Sequence, residues 1–278
     1  MPAAARLALF AVVLAVVAAA ATLLGRASGV TVADAADEGH GVAAGLGALP
    51  NGRSDVAGGV RLVLAPTTLA AGEPAQVELR LVGDDGEPLT ELDETRGEPP
   101  LHLILVRRDL SGYLHLHPER IGERFVADVT LAEPGVWRAY ADFELDGEKI
   151  VLGRDLVVPG AFAPRPLAAP DDVAEVGGYR IALAVGDLRA GAEATLTFRL
   201  ARDGEPVVPE PYLGASGHLV AVREDDLAYL HVHPVESTAG STVAFDAELA
   251  EPGRYALFLQ FQDEGAVRTA RFAVEVRR

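Results

Sequence analysis

The chain has 278 residues, 49% of them hydrophobic, with 41 acidic side chains against 24 basic ones and a formal net charge of −17. That length and composition supply cores for two domains of ordinary size and exclude disorder throughout, while the acidic surplus repels phosphate backbones and argues against nucleic acid as a partner. Cysteine is absent and Met1 is the sole methionine, so disulfides, thiolate zinc sites, iron–sulfur clusters, blue copper and thioether Cu(I) sites are excluded together, and a metal here must be held by imidazole and oxygen.

Leu7 to Leu24 run for 18 residues without a charge or a proline. As a helix that run spans about 27 Å, close to the thickness of a bilayer's hydrocarbon core. Residues 1–26 are therefore expected to be a transmembrane anchor or an export signal; the run is longer than a usual signal core, and the best cleavage-like site, Ala33-Asp34-Ala35, lies well past its end. Arg6 before the run and Asp34, Asp37 and Glu38 after it favour a single-pass cell-membrane protein with its C-terminal domains outside the cytoplasm, secreted if the segment is cleaved. Residues 27–58 are rich in Ala, Gly and Asp, include the isolated His40, and read as a flexible linker.

From Val60 the pattern becomes short β-branched or alternating runs: Val60–Leu64, Ala75–Val82, Leu101–Val106, Tyr113–His117, Arg124–Leu131, Val136–Phe143 and Ile150–Val158. Turn residues such as Asp84-Asp85-Gly86-Glu87-Pro88 and Asp146-Gly147 separate them, and seven strands in about 100 residues predict an immunoglobulin-like sandwich over 59–159. Residues 160–172 carry Pro164, Pro166 and Pro170 and form a Pro-rich linker. Residues 173–278 then repeat the first domain: Asp85-Gly86-Glu87-Pro88 returns as Asp203-Gly204-Glu205-Pro206, and Ala132-Glu133-Pro134-Gly135 returns as Ala250-Glu251-Pro252-Gly253. The expected fold is all-β, two tandem immunoglobulin-like antiparallel β-sandwich domains after an N-terminal transmembrane helix, arranged as two beads on a tether.

Six of the seven histidines belong to one repeated device. His102, His115 and His117, followed by Pro118, recur 116 residues later as His218, His231 and His233, followed by Pro234, with Tyr113 and Tyr229 each two positions before the middle histidine. A hairpin pairing Val106 with Tyr113 sets His117 opposite His102 and His115 opposite Ile104, so strand parity puts all three imidazoles on one face and Leu103, Leu105, Leu114 and Leu116 on the other. The same register in the second copy puts Leu219, Ala221, Leu230 and Val232 inward. Opposed and diagonal neighbours are close enough for three imidazoles to reach one ion, and with no sulfur available the suitable ions are Cu(II), Zn(II) or Ni(II), the first two being the ones expected here, with Asp109, Asp225, Glu119 and Glu236 as nearby oxygen donors. The plainer alternative is a polar outer face on an edge strand, and the shared tyrosines fit equally well a docking surface by which the His/Tyr faces meet an envelope partner or one another. Ser111-Gly112 and Ser216-Gly217-His218 lack the strand–elbow–helix setting of a nucleophilic serine, so the chain does not read as an enzyme and implies no organic cofactor.

The segments 102–118, Trp137-Arg-Ala-Tyr-Ala-Asp-Phe143 and Pro211-Tyr-Leu-Gly-Ala-Ser-Gly-His218-Leu-Val-Ala-Val-Arg are similar to those of a family of membrane-anchored or secreted tandem Ig-like proteins of high-GC bacteria, over residues 60 to 277. More distantly, each domain resembles YtkA-like and FixH-like immunoglobulin-type domains. That resemblance implies an Ig-like fold in a copper or heavy-metal context, while the absence of methionine after Met1 departs from Met-rich copper proteins. The expected function is an extracytoplasmic, membrane-anchored protein binding Cu(II) or Zn(II) through the repeated three-His motif, the alternative being an interaction module of the cell envelope without metal.

Overall fold

The computed structural model describes residues 51–94, 99–232, 235 and 240–278. The expected anchor and nearly all of the first linker lie outside the described residues, and among those described no helix is long and apolar enough to cross a membrane. The described chain is all-β and holds two tandem antiparallel sandwiches. The first is built from β1 (Val60–Ala65), β2 (Pro74–Gly83), β3 (Leu101–Arg107), β4 (Tyr113–Leu116), β5 (Arg124–Thr130), β6 (Gly135–Leu145) and β7 (Glu148–Val158). The second repeats it with β8 (Tyr179–Ala184), β9 (Glu193–Arg202), β10 (His218–Arg223), β11 (Tyr229–Val232), β12 (Thr242–Glu248), β13 (Gly253–Asp263) and β14 (Ala266–Val276). All seven strands expected in the first domain form, and the short pieces Val56–Ala57, Pro88–Leu89 and Glu119–Ile121 add to the edges of its first sheet.

Each domain has one sheet that ends against water and one that is covered on both sides. In the first sheet β2 lies between β1 and β5, and β1 alternates buried and exposed residues along its length, as a strand with one solvated face must. The second sheet runs β7-β6-β3-β4, and every residue of β3 is buried. One face of β3 delivers Leu103 and Leu105 to the first core, beside Leu62, Leu79, Leu81, Ala139 and Phe143. The opposite face delivers Ile104 and Val106 to a separate apolar cluster with Val220, Val222 and Phe258 of the second domain.

That cluster corrects the picture of two beads on a tether. The sheets β7-β6-β3-β4 and β11-β10-β13-β14 pack face to face, so residues 51–278 include a continuous interface between sandwiches. Tyr140 stacks on Tyr229 with ring centroids 4.8 Å apart, and Tyr113 stacks on Phe258 at 4.5 Å. The Tyr140 hydroxyl donates to the Leu227 carbonyl, and Arg271 donates to the Leu110 carbonyl. The physical reason was present in the repeat: Ile104, Val106, Val220 and Val222 share parity with the histidines, and so much apolar surface on the outer face needs a cover.

The flanking segments are tied down as well. Residues 51–58, assigned by composition to the first linker, lie against the first sandwich, where Gly52 N donates to Val151 O and Arg138 caps the carbonyls of Gly52 and Arg53. The approach is so close that a Cβ on Gly153 would sit 1.8 Å from the Gly52 carbonyl oxygen, so only glycine fits there. The Pro-rich linker is strapped by Arg107, which is 2% exposed, stacks on Phe162 and donates to the Ala163 carbonyl. Leu167 of the same linker is buried in the interdomain cluster.

Candidate metal centre

The hairpin register is the one that strand parity predicts. Val106 pairs with Tyr113, Ile104 with His115 and Leu103 with Leu116; in the second copy Val222 pairs with Tyr229 and Val220 with His231. His102, His115 and His117 therefore come together on one face, and one ligating nitrogen from each lies within 4.8 Å of the others. Ring centroids are 5.0 Å apart for His102–His115, 5.0 Å for His102–His117 and 4.7 Å for His115–His117. The expectation that this face is outward is overturned, because it lies in the interdomain interface: His102 is 4% exposed and His218 is 1% exposed. His218 stands 6.0 Å from His115, ring to ring, so the two motifs meet across the interface. The His231 backbone sits opposite Val220, while its side chain and all of His233 lie outside the described residues.

Hydrogen bonds assign the ring nitrogens. His102 Nε2 lies 3.1 Å from the Pro99 carbonyl, which can only accept, so Nε2 carries the proton and Nδ1 the lone pair. His115 Nδ1 lies 2.7 Å from Gln260 Oε1, whose amide nitrogen faces Thr269 Oγ1; with the amide in that orientation and the ring neutral, His115 Nδ1 donates and Nε2 keeps its lone pair. His102 Nδ1 and His115 Nε2 lie 3.2 Å apart, a hydrogen bond when one of the two carries a proton. Where both carry lone pairs, that spacing suits one shared ion, since about 3.3 Å is the separation of two nitrogens bound tetrahedrally to one ion at 2.0–2.1 Å. His117 Nε2 is buried with no hydrogen-bond partner among the described residues. Burial and, to a smaller extent, His218 push the His117 pKa down to about 4, which keeps the ring in the neutral, ligating form at neutral pH.

His218 repeats the arrangement of His102. Its Nε2 donates to the Tyr212 carbonyl at 2.9 Å, which turns Nδ1 into the acceptor. A protein carbonyl or amide holding the far N–H of an imidazole is the usual outer support of a metal-ligating histidine. The strand beside each first histidine places a buried polar residue directly opposite it, Asp142 opposite His102 and Gln260 opposite His218. Asp142 accepts a hydrogen bond of 2.9 Å from the Tyr229 hydroxyl of the other domain. Burial raises the pKa of Tyr113 and Tyr229, so both remain phenols.

Asp142 and Gln260 were missed by reading the histidine motif alone. Their signal is a polar residue at corresponding positions of two otherwise apolar strands, Tyr140-Ala-Asp-Phe143 and Phe258-Leu-Gln-Phe261. The oxygen donors named from sequence fare differently. Asp109 is engaged by Arg107, Ser111 and Arg165; Asp225 is exposed in the β10–β11 turn; and Glu236 lies outside the described residues. Glu119 is exposed and lines a cleft of about 260 Å³ with His117, Gln76 and Asp128, so two acidic side chains share the cleft that His117 borders.

Among solved structures, the chain is similar to a DUF4426 family protein from Pseudomonas aeruginosa PAO1 (12% identity, 38% of this chain and 97% of that one, TM-score 0.30). It is also similar to a Salmonella alpha-2-macroglobulin mutant (13% identity, 81% of this chain and 15% of that one, TM-score 0.30) and to the Escherichia coli adhesin FdeC (14% identity, 83% of this chain and 66% of that one, TM-score 0.28). No curated protein matches the chain. Residues 54–159 and 174–278 each match the domain of unknown function DUF8832, and the chain belongs to that family, carrying its domain twice in tandem.

Proposed function

We propose that this protein binds a divalent transition-metal ion, Zn(II) or Cu(II), outside the cytoplasm, anchored to the membrane through residues 1–26. The observation that carries the reading is the convergence of His102, His115 and His117, one ligating nitrogen from each lying within 4.8 Å of the others. His117, held neutral by burial, supplies the third nitrogen, and water or a carboxylate fills the fourth position of a tetrahedral Zn(II) ion. The role is holding or delivering the ion rather than turnover. Tyr113 and Tyr229, the residues that would have marked a docking surface for an envelope partner, are covered by the other sandwich, so such a partner would use another part of the surface.

The test is equilibrium dialysis of the purified chain, without a histidine tag, against Zn(II) and against Cu(II). The native chain is expected to retain metal after dialysis, and a His102→Ala, His115→Ala, His117→Ala variant to lose the ion bound at this site. Equal retention by the two proteins overturns the reading.

A further inference from the structure

We infer that the second sandwich completes the metal site of the first: Gln260 is a positioning residue for His115, and an ion on the histidines locks the two sandwiches together. This rests on the metal reading above and goes beyond it, because three ligands on one hairpin would by themselves make a site that the first domain owns alone. Gln260 belongs to β13 of the second domain, yet its Oε1 lies 2.7 Å from Nδ1 of His115 in the first. A neutral imidazole carries one proton, so the acceptor at Nδ1 dictates which nitrogen faces the ion. Without Gln260 the acceptor at Nδ1 is lost and the proton can move to Nε2, where ligand and ion are mismatched. Gln260 is itself held: it is 7% exposed, its Cα partner is His218, and its amide nitrogen donates to Thr269.

Linkage makes this reciprocal. If docking of the second domain orients His115 and so raises metal affinity, the metal strengthens docking by the same factor. The contacts that would tighten are already in register around the cluster: Tyr229 on Asp142, Tyr140 on the Leu227 carbonyl, and Tyr113 on Phe258. The ion thus acts as a clamp between sandwiches, and a chelator acts as its release.

The experiment is a competition titration of the full chain with Zn(II) against a chromogenic chelator, for the native protein, Gln260→Leu and Gln260→Glu. Hydrogen exchange is followed with and without Zn(II) over residues 101–107 and 218–230. Loss of an outer-shell partner is expected to weaken binding about 10- to 100-fold in Gln260→Leu. Gln260→Glu, which keeps an acceptor at the same place and makes the imidazole a better donor to metal, is expected to bind at least as tightly as the native chain. Zn(II) is expected to slow exchange on both sides of the interface in the native chain and in Gln260→Glu, and to do so less in Gln260→Leu at equal Zn(II). Native-like affinity in Gln260→Leu, or weakened affinity in Gln260→Glu, overturns the inference while leaving the metal reading intact. Metal binding with no change in exchange overturns the clamp, and no Zn(II) binding by the native chain overturns both readings. A Gln260→Leu protein that fails to fold leaves Gln260→Glu to decide, since a role in packing alone predicts no gain from a buried charge.

Discussion

The two sandwiches place the same residue types at the same strand positions and then use them differently. His102 and His218 both donate from Nε2 to a backbone carbonyl, of Pro99 and of Tyr212, and both turn Nδ1 toward the cluster. Beside them, however, one copy carries Asp142 and the other Gln260, and each reaches into the opposite domain, Asp142 to Tyr229 and Gln260 to His115. The paired tyrosines diverge in the same way: Tyr229 hydrogen-bonds Asp142, whereas the Tyr113 hydroxyl is buried with no partner among the described residues. A duplicated fold has thus been made unequal at its interface, with one buried carboxylate on one side and a neutral amide on the other. A single carboxylate near a cluster of imidazoles offsets part of the charge of a divalent ion, and a second one would raise the cost of the empty site.

The largest expected effect comes from removing what the copies share. Phe258 occupies the position of Tyr140 in the repeat and stacks on Tyr113, so Phe258→Ala opens a cavity between the sandwiches and is expected to cost about 3–5 kcal/mol in urea unfolding. An unchanged midpoint would mean that the face-to-face packing does not form in solution. Next in size is Tyr229→Phe, which leaves Asp142 without the hydroxyl that now donates to it; a loss of about 1.5–3 kcal/mol is expected, the range for a hydrogen bond to a charged group.

A smaller effect concerns pH. The His117 pKa is lowered from 6.5 to about 4 by burial and His218, so between those values the unfolded chain holds a proton that the folded chain does not. Stability from the neutral ring is full above pH 6.5 and is lost as pH falls through 6.5 toward about 4. Metal-free protein is therefore expected to lose stability over that window, and His117→Gln to lose less, as read by parallel denaturant titrations at pH 7 and pH 4.5. The smallest effect is the sharpest check on the asymmetry. Tyr113→Phe removes a hydroxyl that has no partner among the described residues and is expected to change stability by no more than about 0.5 kcal/mol or to raise it. A cost equal to that of Tyr229→Phe would show that the two tyrosines are equivalent after all.

Much of the fold was legible because both signals that encode it are local. Period-two alternation in Val60–Ala65 and the Pro-Gly turns before β6 and β13 marked strands and their ends, and the leucines of β3 and β4 pinned the hairpin register to the residue. The same parity collected His102, His115 and His117 on one face. What it did not say was where that face points. Ile104 and Val106 were on the histidine side all along, but strand parity distinguishes two faces without naming which one meets water, and both faces of β3 are apolar enough to be buried.

The sequence by itself determined the two sandwiches, the pairing within each hairpin and the set of imidazoles that share a face, because each follows from spacing along a single strand or across a short turn. Only the tertiary structure decided that the two histidine faces close on each other, that Gln260 and Asp142 join them from strands distant in the chain, and which nitrogen of each ring points inward. The meeting of the two faces depends on contacts such as Tyr229–Asp142 and His115–Gln260, 87 and 145 positions apart, and the proton on His115 is set by the acceptor that the other domain brings to it.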